Sequence, residues 1–92
     1  MLDIVQTSTF RKDYALLVKQ GRDMSLLEKV IDLLAEGKPL PKKYKDHPLI
    51  GDWVGFRECH IQGDWILIYI INDNELTLTL SRSGSHSRIF RI

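Results

Sequence analysis

Five side chains in this sequence are of the types that move protons and hold phosphate: His47, His60, Asp64, Arg82 and His86, with the aromatics Trp65 and Phe90 beside them. Such a set suits metal-free RNA cleavage. A base takes the proton from a ribose 2′-hydroxyl, which attacks the adjacent phosphate. An acid protonates the departing 5′-oxygen, and a cation steadies the charge of the phosphorane-like transition state. Histidine suits both proton roles because its unperturbed pKa lies near neutrality. Arginine suits the third because its planar donors match phosphate oxygens. Asp64 would orient or recharge a histidine, and Trp65 or Phe90 would stack on a base. Each residue also has a plainer reading. Trp65 and Phe90 are common packing residues, Arg82 fits a strand-end charge, and Cys59 fits a small buried hydrophobe. Lys42, Lys43 and Lys45 fit a solvated loop partly offset by Asp46. A metal site from His60, Asp64 and His86 is the competing arrangement, but these residues share no metal-motif spacing. The sequence carries no metal motif, phosphate-binding glycine loop or serine nucleophile elbow.

The elements that must position these residues follow from periodicity. Leu2 to Gln6 is short and β-branched, as a strand requires. Thr7 or Ser8 offers an N-cap to a helix with Phe10, Tyr14, Leu17 and Val18 at helical spacing, and Gly21 ends it. A second amphipathic run places Leu27, Val30, Ile31 and Leu34 on one stripe. Ser25 and Glu28 stand at capping-box spacing, Gly37 closes the run, and Pro39 and Pro41 forbid continuation. The two runs read as a helical hairpin. From Pro39 to Gly51 the chain is too polar and Pro-rich for a core element. Then the period becomes two: Trp53 to Ile61, Trp65 to Ile71 and Leu76 to Arg82 read as strands, broken at Gln62-Gly63, Asn72-Asp73-Asn74 and Ser83-Gly84-Ser85. His86 to Ile92 reads as a short final strand. The expectation is an α+β domain spanning residues 1–92. Its N-terminal strand and helical hairpin would pack on a mostly antiparallel sheet of about four to five strands.

Two-residue turns at Gln62-Gly63 and Asp73-Asn74 would pair Ile61 with Asp64 and Ile71 with Leu76. His60, Trp65 and Arg82 would then share one cross-strand row, with Asp64 one step away and His86 just past the Ser-Gly-Ser turn. The same register puts Val54, Phe56, Leu67, Tyr69, Ile71, Leu76, Leu78 and Leu80 on one face, the one expected to meet the helices. The opposite face would carry Arg57, Cys59, Thr77, Thr79 and Ser81 beside Ile66, Ile68 and Ile70.

At 92 residues the chain is long enough for one core and too short for two. Thirteen basic against twelve acidic residues leave a net charge of +1, which excludes the strongly basic whole-chain profile of many nucleic-acid binders. The distribution is uneven. From Leu76 to Ile92 there are three arginines and no acid, and from Lys38 to Lys45 four lysines and no acid. A contact with RNA would fall on those two segments. The single cysteine excludes an intramolecular disulfide and a cysteine-based zinc site. No apolar run reaches roughly 18 residues and no charged-then-apolar leader opens the chain, so no membrane span or signal peptide is expected and a cytoplasmic location follows.

Several motifs together carry a resemblance. Tyr44-Lys45-Asp46-His47-Pro48-Leu49, Gly51-Asp52-Trp53, Cys59-His60, Asp64-Trp65-Ile66-Leu67-Ile68-Tyr69 and Arg82-Ser83-Gly84-Ser85-His86 closely resemble the YafQ-type toxins of the RelE/ParE superfamily. The close match covers about residues 38 to 90. The tail departs from the pattern: it carries Arg88 and Arg91 where YafQ-type sequences are shorter and less basic.

The resemblance implies a RelE-like fold and an mRNA interferase, the toxin of a type II toxin–antitoxin pair that cuts mRNA on the ribosome. By position it implies that His47, His60, Asp64 and His86 serve proton transfer, with His86 the proposed general acid or base. It makes Arg82 the phosphate contact. Trp65 and Phe90, with Lys42, Lys43 and Lys45, would help hold substrate. No cofactor or metal is implied. The implied partners are a cognate antitoxin of DinJ-like or RelB-like type, mRNA on the ribosome, and operator DNA only through the antitoxin. A non-enzymatic gyrase poison of the ParE type is the alternative on the same fold.

Overall fold

The β-branched opening segment forms β1 (Asp3–Gln6) in the computed structural model, which describes residues 1–91. Two helices follow, α1 (Ser8–Lys19) and α2 (Met24–Ala35). Thr7 caps α1, its Oγ1 accepting from the Phe10 N–H at 3.0 Å. Asp23, rather than Ser25, caps α2 by accepting from the Ser25 N–H. Leu27, Val30, Ile31 and Leu34 are all buried, as their stripe requires. Each such side chain contributes roughly 1.5–3 kcal/mol on full burial. On α1 the buried stripe is Phe10, Asp13 and Leu17, whereas Val18 is exposed.

The remaining strands are β2 (His47–Pro48), β3 (Arg57–Gln62), β4 (Trp65–Asn72) and β5 (Thr77–Ser85), with short 3-10 turns at Lys42–Tyr44 and Gly51–Trp53. A short helix, α3 (His86–Phe90), replaces the expected final strand; Ile92 lies outside the described residues. The sheet order is β1-β5-β4-β3-β2, with β1 parallel to β5 and the other pairs antiparallel. This is the α+β architecture expected.

The register differs from the two-residue-turn expectation, for three physical reasons. The β3–β4 turn is Gly63-Asp64, with Gly63 at φ +56°. A bulge between His60 and Gln62 then sets Gln62 against Trp65 and His60 against Ile66. The β4–β5 connection has four residues: Asn72 Oδ1 accepts from the Asn74 and Glu75 N–H groups, Leu76 sits at φ +54°, and Ile71 faces Leu78. A second bulge between Ile68 and Tyr69 puts Arg82 against Ile68, not Trp65, which instead faces Ser85. Strand β5 runs straight through Ser83-Gly84-Ser85. Ser83 is buried but fully bonded: its Oγ accepts from Trp65 Nε1 and donates to the Ile66 carbonyl.

The sheet is covered on both faces. Cys59, Ile61, Trp65, Leu67, Tyr69, Leu78 and Leu80 meet the helices. Ile66 and Ile68 pack with Ile89 under Leu49, Trp53, Phe56 and Phe90. Cys59 therefore lies on the helix face and Phe56 on the other, while Val54 and Leu76 are exposed. Double coverage explains why central β4 is apolar without alternation. Among the described residues no helix is long and apolar enough to cross a membrane.

Candidate active site

Alternation along β3 places Glu58 and His60 on one face of the sheet, and β2 sets His47 directly opposite Glu58. Helix α3 begins at His86 and brings a third imidazole over the same spot. All three rings turn Nε2 toward one carboxylate. Glu58 Oε1 lies 3.3 Å from His60 and 3.8 Å from His86, and Oε2 lies 3.9 Å from His47. Glu58 is only 2% exposed, whereas the histidine side chains are one-third to one-half exposed. A buried carboxylate beneath three imidazoles is a counter-ion for whichever ring carries the proton. The three rings thus form a connected proton-handling set rather than isolated bases.

Each histidine is held from behind. His47 Nδ1 bonds the Lys45 carbonyl at 2.7 Å, so Nδ1 carries the hydrogen and Nε2 of the neutral ring is a free acceptor. Lys45 reaches this geometry at φ +49°, an uncommon conformation for a residue other than glycine. Asp46 pins the loop to the sheet by accepting from Tyr69 Oη at 2.6 Å and from Arg57 at 3.3 Å. Burial first, and then the Asp46 bond, push the Tyr69 phenol well above its usual range. His86 is fixed at the start of α3: its N–H donates to the Asp64 carbonyl at 2.8 Å, and Ser85 Oγ caps the Arg88 N–H. Phe90 packs its ring 4.7 Å from that of His86, and Trp53 stands edge-on to Phe90 at 6.0 Å. The result is an open groove of ≈ 470 Å³ with Glu58 at its floor, His47 and His86 on its walls, and Leu49, Trp53 and Phe90 as an apolar rim.

Arg82 projects from β5, in the same cross-strand row as Ile68 and Glu58. Asp13 of α1 grips it side-on, accepting from Nε at 2.9 Å and Nη2 at 3.1 Å. These bonds raise the Arg82 pKa above its already high usual value. The same carboxylate accepts from the Ser83 N–H and from Arg88 Nη1.

The structure moves several expected site residues elsewhere. Trp65 is 0% exposed in the helix-side core, where alternation along β4 sets it with Leu67 and Tyr69, and the shifted register gives it Gln62 and Ser85 as neighbours in place of His60 and Arg82. A ring with no open face cannot stack on a base. Asp64 is exposed, and its carboxylate accepts from Ser87 Oγ at 3.4 Å rather than from a histidine. Its hold on His86 is through the main chain. Lys42, Lys43 and Lys45 are exposed. Lys43 lies over the Tyr44 ring beside a separate hollow, and Lys45 serves His47 with its carbonyl. Burial pushes the Cys59 thiol up to about 12, so it stays protonated and inert at neutral pH.

Two residues that matter here carry no motif of their own. Glu58 stands two positions before His60, the spacing that shares a strand face. Asp13 is an acid inside the apolar stripe of α1, between Phe10 and Leu17. Both patterns are visible in the residue order.

Comparisons with known proteins show the family and the fold. Residues 2–91 match the family described as "Bacterial toxin of type II toxin-antitoxin system, YafQ". The mRNA interferase toxin YafQ of Escherichia coli strain K12 is 42% identical over 89 residues, covering 96% of this chain and 95% of its own. A metal-bound toxin from Helicobacter pylori superposes with TM-score 0.92 at 51% identity, covering 98% of this chain and 100% of its own. The E. coli DinJ–YafQ complex contains a chain that matches with TM-score 0.89 at 41% identity, covering 98% of this chain and 99% of its own.

Proposed function

The chain belongs to the YafQ family of toxins from bacterial type II toxin–antitoxin systems, and from that premise we propose that messenger RNA is cut in the groove that His47 and His86 line over Glu58, with His60 beside the same carboxylate. The protein is an mRNA interferase, an endoribonuclease, with a DinJ-like antitoxin as its cognate partner. The observation that carries the site assignment is the convergence of His47, His60 and His86 on the buried Glu58 carboxylate.

Cleavage proceeds by attack of a ribose 2′-oxygen on its own 3′-phosphate. The 2′-O–P bond forms as the P–O5′ bond breaks, leaving a 2′,3′-cyclic phosphate and a 5′-hydroxyl. A histidine Nε2 takes the 2′-proton; His47 is shaped for this role, because its Nδ1–H is already committed to Lys45. His86, supported by Phe90, delivers a proton to the departing 5′-oxygen. Glu58 holds the positive charge on whichever ring is protonated. Arg82 faces the phosphate with the donors that Asp13 leaves free. Phe90 and Trp53 offer the apolar surface on which a base rests. The groove is small and the net charge only +1, so most of the substrate's positioning comes from the translating ribosome. The site of action is accordingly the cytoplasm. Residues 1–92 act as one toxin domain, and operator DNA is reached only through the antitoxin.

The test is cleavage of mRNA on programmed ribosomes by the wild type and by His86→Ala, with and without phenanthroline, which strips transition metals but leaves ribosomal Mg²⁺. Metal-free acid–base chemistry predicts that His86→Ala loses activity by roughly 10²–10⁴-fold with its fold intact, and that the chelator changes nothing. Full activity in His86→Ala removes the assignment, and loss of wild-type activity in phenanthroline replaces the metal-free mechanism. Inhibition of DNA gyrase without mRNA cleavage would favour the ParE-type alternative.

A further inference from the structure

Asp13 is 2% exposed, yet it is a carboxylate on the buried stripe of a helix. Its two oxygens accept four bonds. Oδ2 takes Arg82 Nε at 2.9 Å and the Ser83 N–H at 3.1 Å; Oδ1 takes Arg82 Nη2 at 3.1 Å and Arg88 Nη1 at 3.3 Å. Two guanidinium groups therefore meet on one oxygen. Two positive charges against one negative leave a charge over, in a place where both arginines keep donors unused among the described residues: Nη1 of Arg82, and Nε and Nη2 of Arg88. The Arg88 side chain is 48% exposed, so its free edge is open to a ligand. Arg88 passes over Gly84 at ordinary contact distance, its Nη1 3.5 Å from where a Cβ would stand, and the backbone there sits at φ +154°, a conformation that favours glycine. Arg88 lies across the strand at the one position that lacks a side chain.

We propose that Arg82 and Arg88, organised by Asp13, form a single seat for a phosphate of the RNA backbone next to the one being cut. Arg88 is then a substrate-binding residue, and Asp13 a positioning residue that acts through both arginines. The geometry suits this ligand. Paired guanidinium groups present planar, divergent donors to tetrahedral oxygens. The shared carboxylate holds two flexible side chains in place before substrate arrives, so less ordering remains to be done on binding. Helix α3 carries His86 and Phe90 toward the groove and Arg88 toward β5. One short helix thus links the proton-handling rings to the phosphate seat.

The proposal rests on the RNA-cleavage reading, and the experiment separates the two. Steady-state cleavage on programmed ribosomes is measured across a monovalent salt series at fixed Mg²⁺ for wild type, Arg88→Ala, Arg88→Lys and Asp13→Asn, with thermal melting of each. Arg88→Ala should raise KM about tenfold with kcat nearly unchanged. It should also flatten the dependence of log(kcat/KM) on log[salt] by about 0.7, the share of one phosphate contact to a single strand. Arg88→Lys keeps the charge but not the fork, so it should retain the salt slope and still raise KM. It carries the test should Arg88→Ala melt early.

Asp13→Asn removes the negative charge from the seat. Its salt slope should steepen while kcat falls about tenfold, because Arg82 is no longer held. A purely structural role for Asp13 would lower the melting temperature and leave the slope alone. An unchanged KM and slope in both Arg88 variants overturns the seat, even with the wild type active. A wild type that fails to cut mRNA overturns the interferase reading itself, whatever Arg88 does.

Discussion

Replacing Glu58 with Gln should leave a folded protein whose kcat for mRNA cleavage falls by about 10²–10³-fold, with KM little changed. Gln keeps the volume and one acceptor oxygen, so the groove floor should hold its shape. What it removes is the charge shared by His47, His60 and His86. Positioned acid–base catalysis contributes roughly 10²–10⁴-fold, and most of that contribution depends on at least one ring carrying its proton at the right moment. Glu58 lies at the groove floor with only 2% of its surface exposed, so a substrate meets the imidazoles and the apolar rim first and KM should hardly respond. Single-turnover cleavage on programmed ribosomes, set beside the melting temperature, reads both quantities. A wild-type rate in Glu58→Gln would mean that the histidines act independently and that the carboxylate is packing alone.

The second large effect falls on stability. Trp65→Ala should cost about 3–5 kcal/mol, enough to lower the melting temperature of a domain this size by at least roughly 10 °C. Trp65 is fully buried against the helices, and its Nε1 donates to Ser83 Oγ at 3.0 Å. Truncation opens a cavity and strips a buried hydroxyl of one partner. Trp65→Phe separates the two parts: it keeps most of the packing and should cost about 1–3 kcal/mol from the lost bond and the smaller ring. A base-stacking role predicts the opposite pattern, an unchanged melting curve with a raised KM. Calorimetry and kinetics on the same preparations decide between them.

The Trp65 position shows where residue order is a sufficient guide and where it is not. The stripe of α2 is read directly, because Leu27, Val30, Ile31 and Leu34 match a helical period with nothing to disturb it. The strands are legible too, but their register is not. Each bulge adds one residue to one side of a pair and swaps every side chain beyond it to the other face. Arg82 and Trp65 are therefore separated by the four-residue β4–β5 connection and one bulge, while the end of the sheet at which His60 and His86 gather survives these shifts. Ser83-Gly84-Ser85 reads as a break because small polar residues suit turns. They continue the strand because Asp13, Trp65 and Ile66 satisfy Ser83, and because Gly84 takes the φ of +154° that the strand adopts there. Helix α3 spans five residues, too few for a period to declare itself. Glu58 and Asp13 are legible in principle: one is an acid in step with a histidine, the other an acid in an apolar stripe. Neither belongs to a motif that attracts notice.

The bonds that Asp13 makes join residues 69, 70 and 75 positions apart in the chain. Strand β1 likewise pairs with β5, its only partner strand among the described residues. A protein built this way matures late in its own synthesis. Its first helix leaves the ribosome with a carboxylate whose partners have not yet been made, and His86 follows only after all five strands. Contacts of such long sequence separation also close slowly. On the proposed mechanism a polypeptide that lacks β5 and α3 has neither His86 nor the partners of Asp13 and cannot cut. The capacity to cut then appears only once those two elements have been made and have folded back onto α1, the moment at which an antitoxin must already be waiting.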